Sequence, residues 1–135
     1  MKASVKWSKE LQFIGESSSG HQILMDGDAA KAAPSPMEYV LMAAGGCSSV
    51  DVISILSKAR QQVTDCQVHL DSERAEAAPK VFTNIHLEFV VSGVNLSDKH
   101  VARAVQLSME KYCSVSLMLG NSCEISHSYR IESAS

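Results

Sequence analysis

Four cysteines occur in the 135-residue chain, and two sit where a thiol could react. Cys47 follows Ala43-Ala44-Gly45-Gly46 and precedes Ser48-Ser49, so its surroundings are small and open. Cys113 lies in Lys111-Tyr112-Cys113-Ser114-Val115-Ser116, between the end of one helical stretch and the start of another. At a helix N-terminus the unpaired amides and the dipole favour thiolate over thiol, and Lys111 would add positive charge. Asp51, one turn after Cys47 on the same helix face, works the other way, because a nearby carboxylate raises a thiol pKa. If the fold brings Cys47 and Cys113 together, the chain can do thiol redox chemistry. If it does not, the chain is a small α+β domain with four cysteines in it.

The other two cysteines alternate with polar residues in strand-like stretches and read as small buried hydrophobes. These are Cys66, with Val68 and Leu70, and Cys123, with Ile125, His127, Tyr129 and Ile131. A metal centre is not expected. No Cys-x-x-Cys occurs, the five histidines are scattered, and Cys123 and His127 would stand ~13 Å apart on one strand face. No phosphate loop, nucleophile elbow or dinucleotide fingerprint is present.

The elements that must position the thiols follow from pattern and punctuation. Ala3, Val5 and Trp7, then Leu11 to Ile14, then His21 to Met25 read as a three-stranded meander, with a turn at Ser17-Ser18-Ser19-Gly20. Ser35-Pro36-Met37-Glu38 carries a capping box and a first-turn proline. The helix it opens is expected to run to about Gln62, with a polar, cationic last turn. Gly45 and Gly46 cost that helix about 1 kcal/mol each relative to alanine, which suggests close approach of another backbone or a ligand. A hairpin follows, from Cys66-Val68-Leu70 to the alternation Val81, Thr83, Ile85, Leu87, Phe89, Val91. Ser97 caps a helix with Val101, Ala104, Val105 and Ser108 on one side, a short helix spans about Ser114 to Leu119, and a strand closes the chain. The expected class is α+β, in the order βββ-α-ββ-α-α-β, as a single domain over residues 1–135.

Composition narrows the role. Apolar residues are 45% of the chain and charged residues 20%, below the roughly 25% usual in soluble domains. The net charge is −3, so neither nucleic acid nor an anionic membrane is an expected partner. The stretch from Tyr39 to Leu56 is long and apolar, but Asp51, the serines around it and the lack of a basic flank favour a buried core helix over a membrane span. The N-terminus lacks an apolar signal region, which gives a cytoplasmic expectation in which thiols stay reduced unless catalytic or sensing. The first half of the long helix is apolar on nearly every side and needs cover that one small chain lacks. A homodimer whose sheets wrap a shared pair of helices would supply it.

The order of elements, the run Pro36 to Cys47 (Pro-x-Glu-x-x-Leu-x-Ala-Ala-Gly-Gly-Cys) and Cys113-Ser114-Val115-Ser116 resemble the OsmC/Ohr family over nearly the whole chain. The resemblance implies an OsmC-like fold, an intertwined homodimer with interface sites, and thiol-dependent reduction of organic hydroperoxides. Cys47 would be the peroxide-attacking thiol and Cys113 the resolving one. A dithiol such as dihydrolipoamide, or a lipoylated protein, would be the reductant, and no bound cofactor or metal would be needed.

Three positions depart from that pattern. No arginine precedes Arg60, whereas the family's peroxidases use an N-terminal arginine; Lys9 is nearest, without the planar fork of a guanidinium. The family's glutamate position holds Met37, and Glu38, about 100° further round the helix, is read as the capping-box residue. Ser114 stands where a proline usually follows the second cysteine, a mild change in a first helical turn. Lys9, His21 or helix-end amides are the remaining candidates to stabilise the Cys47 thiolate. Three roles stay open on these residues: thiol peroxidase, a non-catalytic protein holding a small apolar or electrophilic ligand at the dimer interface, and a redox sensor using the same pair.

Overall fold

In a computed structural model that describes residues 1–134, the chain forms two compact units, Met1–Leu41 and Met42 onward. The first holds an antiparallel sheet in the order β1-β2-β3, from strands β1 (Ala3–Lys9), β2 (Gln12–Ser17) and β3 (Gln22–Asp26). Its turns follow the sequence: Gly20 takes a positive φ of 90°, and the Ser17 N–H bonds the His21 carbonyl at 2.9 Å. The buried Asp26 carboxylate accepts the N–H groups of Asp28 (2.8 Å) and Ala32 (3.0 Å), which fixes the loop leading to the helix. Val5, Trp7 and Ile23 of this sheet remain exposed.

The long helix α1 (Pro36–Lys58) begins as its residues require. Glu38 Oε1 accepts the Ser35 N–H at 2.9 Å and Ser35 Oγ accepts the Glu38 N–H at 3.2 Å, a reciprocal capping box. Tyr39 donates its hydroxyl to the Leu24 carbonyl at 2.6 Å, tying the first turn to β3. The helix ends four residues before the expected Gln62. Arg60 adopts the left-handed region (φ 58°), its N–H bonds Ser57 O, and the Gln61 N–H bonds Leu56 O. That is a Schellman closure made without its usual glycine, which is why composition did not mark it.

The second unit carries the core. Strands β4 (Gln62–Arg74) and β5 (Phe82–Val94) form the expected antiparallel hairpin, and β6 (Glu124–Ser133) lies parallel to β5, giving the order β4-β5-β6. Cys123 and Val81, read as strand residues, lie just outside β6 and β5. A parallel neighbour requires a crossover, here helix α2 (Asp98–Leu107), a π-helical turn over Ser108–Tyr112, and helix α3 (Ser114–Leu119). Ser97 Oγ accepts the His100 N–H at 3.4 Å, the expected N-cap of α2. Ile85, Leu87, Phe89 and Val91 of β5 are buried with Val101, Ala104 and Val105 of α2 and with Val52 and Leu56 of α1. Full burial of each large apolar side chain contributes about 1.5–3 kcal/mol.

Two of the seven glycines meet close neighbours in ways that matter here. A Cβ on Gly45 would stand 2.8 Å from Leu70 Cδ1, so the expected close approach exists, but against a side chain rather than a backbone. Gly46 has open space around it. Gly93 is stricter: a Cβ there would fall 2.2 Å from the Gln62 carbonyl oxygen, at the irregular end of the β4–β5 ladder. The Gly93→Ala variant is therefore expected to lose about 3 kcal/mol of stability through forced backbone displacement. Urea melts would measure this, and a loss below about 0.5 kcal/mol would contradict the close approach, since that is the range of ordinary surface changes.

Candidate functional site

Within the second unit, Cys47 and Cys113 come together although 66 positions separate them in sequence (113 − 47). All four cysteines are free thiols. Cys47 rises from the middle of α1 and is half-buried, whereas Cys113, between the π-turn and α3, is 0% exposed. Cys47 lies near enough to Cys113 to raise its pKa, and the Cys113 thiol reaches the carbonyl of Ala44, three residues before Cys47.

Cys113 is held on several sides. As the N-cap of α3, its sulfur accepts the Ser116 N–H at 3.4 Å. Its thiol has two oxygens within reach, Ser116 Oγ at 3.2 Å and the Ala44 carbonyl at 3.9 Å. The sequence predicted that helix-end amides would favour its thiolate, but the balance goes the other way. Burial raises the Cys113 pKa, the hydroxyl and N–H of Ser116 lower it by less, and Cys47 raises it further. Removing a sulfur anion from water costs more here than one short helix end returns.

Several polar groups around the pair carried no functional weight in the sequence. Ser48, next to Cys47, is buried and donates its hydroxyl back to Ala44 O (2.9 Å) and Gly45 O (3.1 Å), while Ser49 does the same to Gly45 O (2.7 Å). Ser108 is fully buried in the π-turn and reaches α1 with its hydroxyl, 3.0 Å from Asp51 Oδ2 and 3.2 Å from Ser48 O. Asp51 therefore faces a hydroxyl donor. The signal available in sequence was a serine on the otherwise apolar stripe of α2. The π-turn that aims it has no sequence mark.

The other candidates are distributed as follows. Glu38 is engaged in the capping box, and Met37 occupies the residue before it. Lys9 ends β1, and His21 follows the β2–β3 turn, where its Nδ1 pairs with Ser19 Oγ at 3.1 Å. Cys66 and Cys123 are half-buried, with burial first raising both pKa values and, for Cys66, the Asp65 charge adding to it. Cys123 lines an open cavity of about 560 Å³ with Met109, Ser116, Leu117 and Ile125. α1 is long and apolar enough to cross a membrane by length and composition. Its residues Ala44, Gly45, Ser48, Val52 and Leu56 are buried within the chain, and its one interior carboxylate is hydrogen-bonded.

The raised Cys113 pKa has a definite sign. Its contribution to stability is complete below the unfolded thiol value of about 8.5 and is lost as pH rises through the higher folded value. At pH 8, iodoacetamide is expected to label Cys113 at least about tenfold more slowly than an unfolded thiol, being both protonated and inaccessible. Peptide-resolved mass spectrometry of a labelling time course would check this, and labelling of native Cys113 at the denatured rate would contradict it.

Comparison with known proteins places this fold. The family profile described as OsmC-like protein matches residues 27–128. The protein YhfA of Escherichia coli strain K12 is 62% identical over 134 residues, spanning 99% of this chain and 100% of that protein. A crystal structure of a hypothetical protein from Aquifex aeolicus VF5 superposes with a TM-score of 0.89 at 33% identity, covering 99% of this chain and 97% of that one. The organic hydroperoxide resistance protein OhrB of Bacillus subtilis has the same fold, with a TM-score of 0.62 at 14% identity over 96% of this chain and 98% of its own. With its α+β order, paired thiols and matched profile, the chain belongs to the OsmC/Ohr family of OsmC-like proteins.

Proposed function

We propose that the protein is a thiol-dependent peroxidase that reduces organic hydroperoxides through Cys47 and Cys113. The observation that carries the reading is the unequal exposure of two neighbouring thiols, Cys47 half-buried and Cys113 fully buried. A substrate arriving from solvent meets Cys47 first. The Cys47 thiolate attacks a peroxide oxygen, the O–O bond breaks, and the alcohol leaves with a proton, so that Cys47 becomes a sulfenic acid. Cys113 then attacks that sulfur, a disulfide forms and water leaves. The Ser116 N–H and hydroxyl stand ready to hold the negative charge on Cys113 as its proton departs. A dithiol such as dihydrolipoamide, free or on a lipoylated protein, returns both thiols by exchange. Relatives of the same fold named as organic hydroperoxide resistance proteins support this substrate class.

The same reading includes a homodimer in a cytoplasmic setting. Buried residues of α1 follow one stripe, yet Met42, Val50 and Ile53 on its other side are 48%, 69% and 41% exposed. A second copy covering that side would remove this surface from water and complete the surroundings of Cys47.

A non-catalytic ligand-binding role is the second reading. It is favoured by Glu38, whose carboxylate is already engaged by the Ser35 N–H, and by the lack of any arginine before Arg60. Consumption of tert-butyl hydroperoxide with dihydrolipoamide separates the two. The wild type should turn over and Cys47→Ser should fall to background, while Cys113→Ser should complete one oxidation and accumulate sulfenic acid trappable by dimedone. Turnover undiminished in Cys47→Ser, or none in the wild type, rejects the peroxidase. Sedimentation equilibrium should give twice the chain mass of 14.6 kDa, and a clean monomer would remove the basis for the dimer.

A further inference from the structure

The residue that joins the two cysteine segments is Ser108. Its hydroxyl lies 3.0 Å from Asp51 Oδ2 and 3.2 Å from the Ser48 carbonyl, both on α1, and Ser48 directly follows Cys47. Its own carbonyl accepts the Cys113 N–H at 2.7 Å, the bond that closes the π-turn. In continuous α geometry that N–H would bond residue 109 instead. The extra residue of the π-turn is what hands Cys113 to Ser108. Such turns are rare and need local contacts to persist. Here the contact is a fully buried hydroxyl gripping the helix that carries Cys47, and a buried hydroxyl is costly to leave unbonded. Its carboxylate partner makes the grip a charge-assisted hydrogen bond, stronger than a neutral one.

We infer that Ser108 and Asp51 are positioning residues for disulfide closure, locking the π-turn onto α1 so that Cys113 stands against Cys47. The inference rests on the thiol-pair reading above and adds two groups that reading does not use. Neither side chain takes part in the exchange. They set the effective concentration of one thiol at the other.

That quantity can be measured without any peroxide. The reduced full-length protein is equilibrated with glutathione and its disulfide, and closure converts two protein thiols and one glutathione disulfide into one protein disulfide and two glutathiones. Acid quenching, alkylation and peptide mapping give the fraction carrying Cys47–Cys113. Ser108→Ala is expected to lower the effective concentration by about tenfold or more, Asp51→Ala by a smaller factor, and Asp51→Asn, which keeps an acceptor, by less than about twofold. Val101→Ala, which empties a fully buried site on α2, should lower thermal stability while leaving the effective concentration in place.

Values for Ser108→Ala and Asp51→Ala within twofold of wild type would overturn the inference. So would an equal fall in Val101→Ala, which would make the effect one of general stability. Because hydroperoxide consumption is assayed separately, a chain that closes its disulfide in this buffer yet consumes no peroxide would reject the peroxidase and leave the clamp supported.

Discussion

A helix that is apolar around most of its circumference cannot stand in water, and the covering of α1 governs how the rest of the second unit is arranged. Its stripe of Ala44, Gly45, Ser48, Val52 and Leu56 is removed from solvent in a unit whose core is built on β5 and α2. Small residues in that stripe permit close approach, as the contact of Gly45 with Leu70 shows. Close approach is also what lets a serine hydroxyl on the crossover reach a carbonyl of α1. The packing that covers this stripe therefore brings the segments that carry Cys47 and Cys113 together.

The two thiols are chemically unequal because their burial is unequal. Cys113 has no exposure and a raised pKa, with the Ser116 N–H directed at its sulfur and its thiol donating to the Ser116 hydroxyl. Cys47 retains access to solvent. No arginine precedes Arg60, and the glutamate nearest the start of α1 is already engaged. Glu38 is the clearer case, since a carboxylate bonded to the Ser35 N–H is doing the work of starting a helix.

Local chemistry was well expressed in local sequence. The Ser35–Glu38 box, the Ser97 cap, the β4–β5 hairpin and the bounds of α3 each depend on residues within a few positions of one another, and each formed as the pattern indicated. The end of α1 did not, because Arg60 took a left-handed conformation that composition assigns to glycine. The electrostatic expectation for Cys113 also reversed. A helix end is visible in sequence, but the desolvation that outweighs it depends on packing from the rest of the chain.

By itself the sequence determined the α+β class and the order of its elements, since periodicity and caps are properties of short stretches. Only the tertiary structure decided that β6 runs parallel to β5, that Cys113 lies near Cys47, and that Ser108 links their segments. Alternation has no direction, so a strand's partner and sense come from the crossover that precedes it. The proximity of residues 66 positions apart is set by how a sheet and three helices pack, and the π-turn that aims Ser108 exists because those distant surfaces meet.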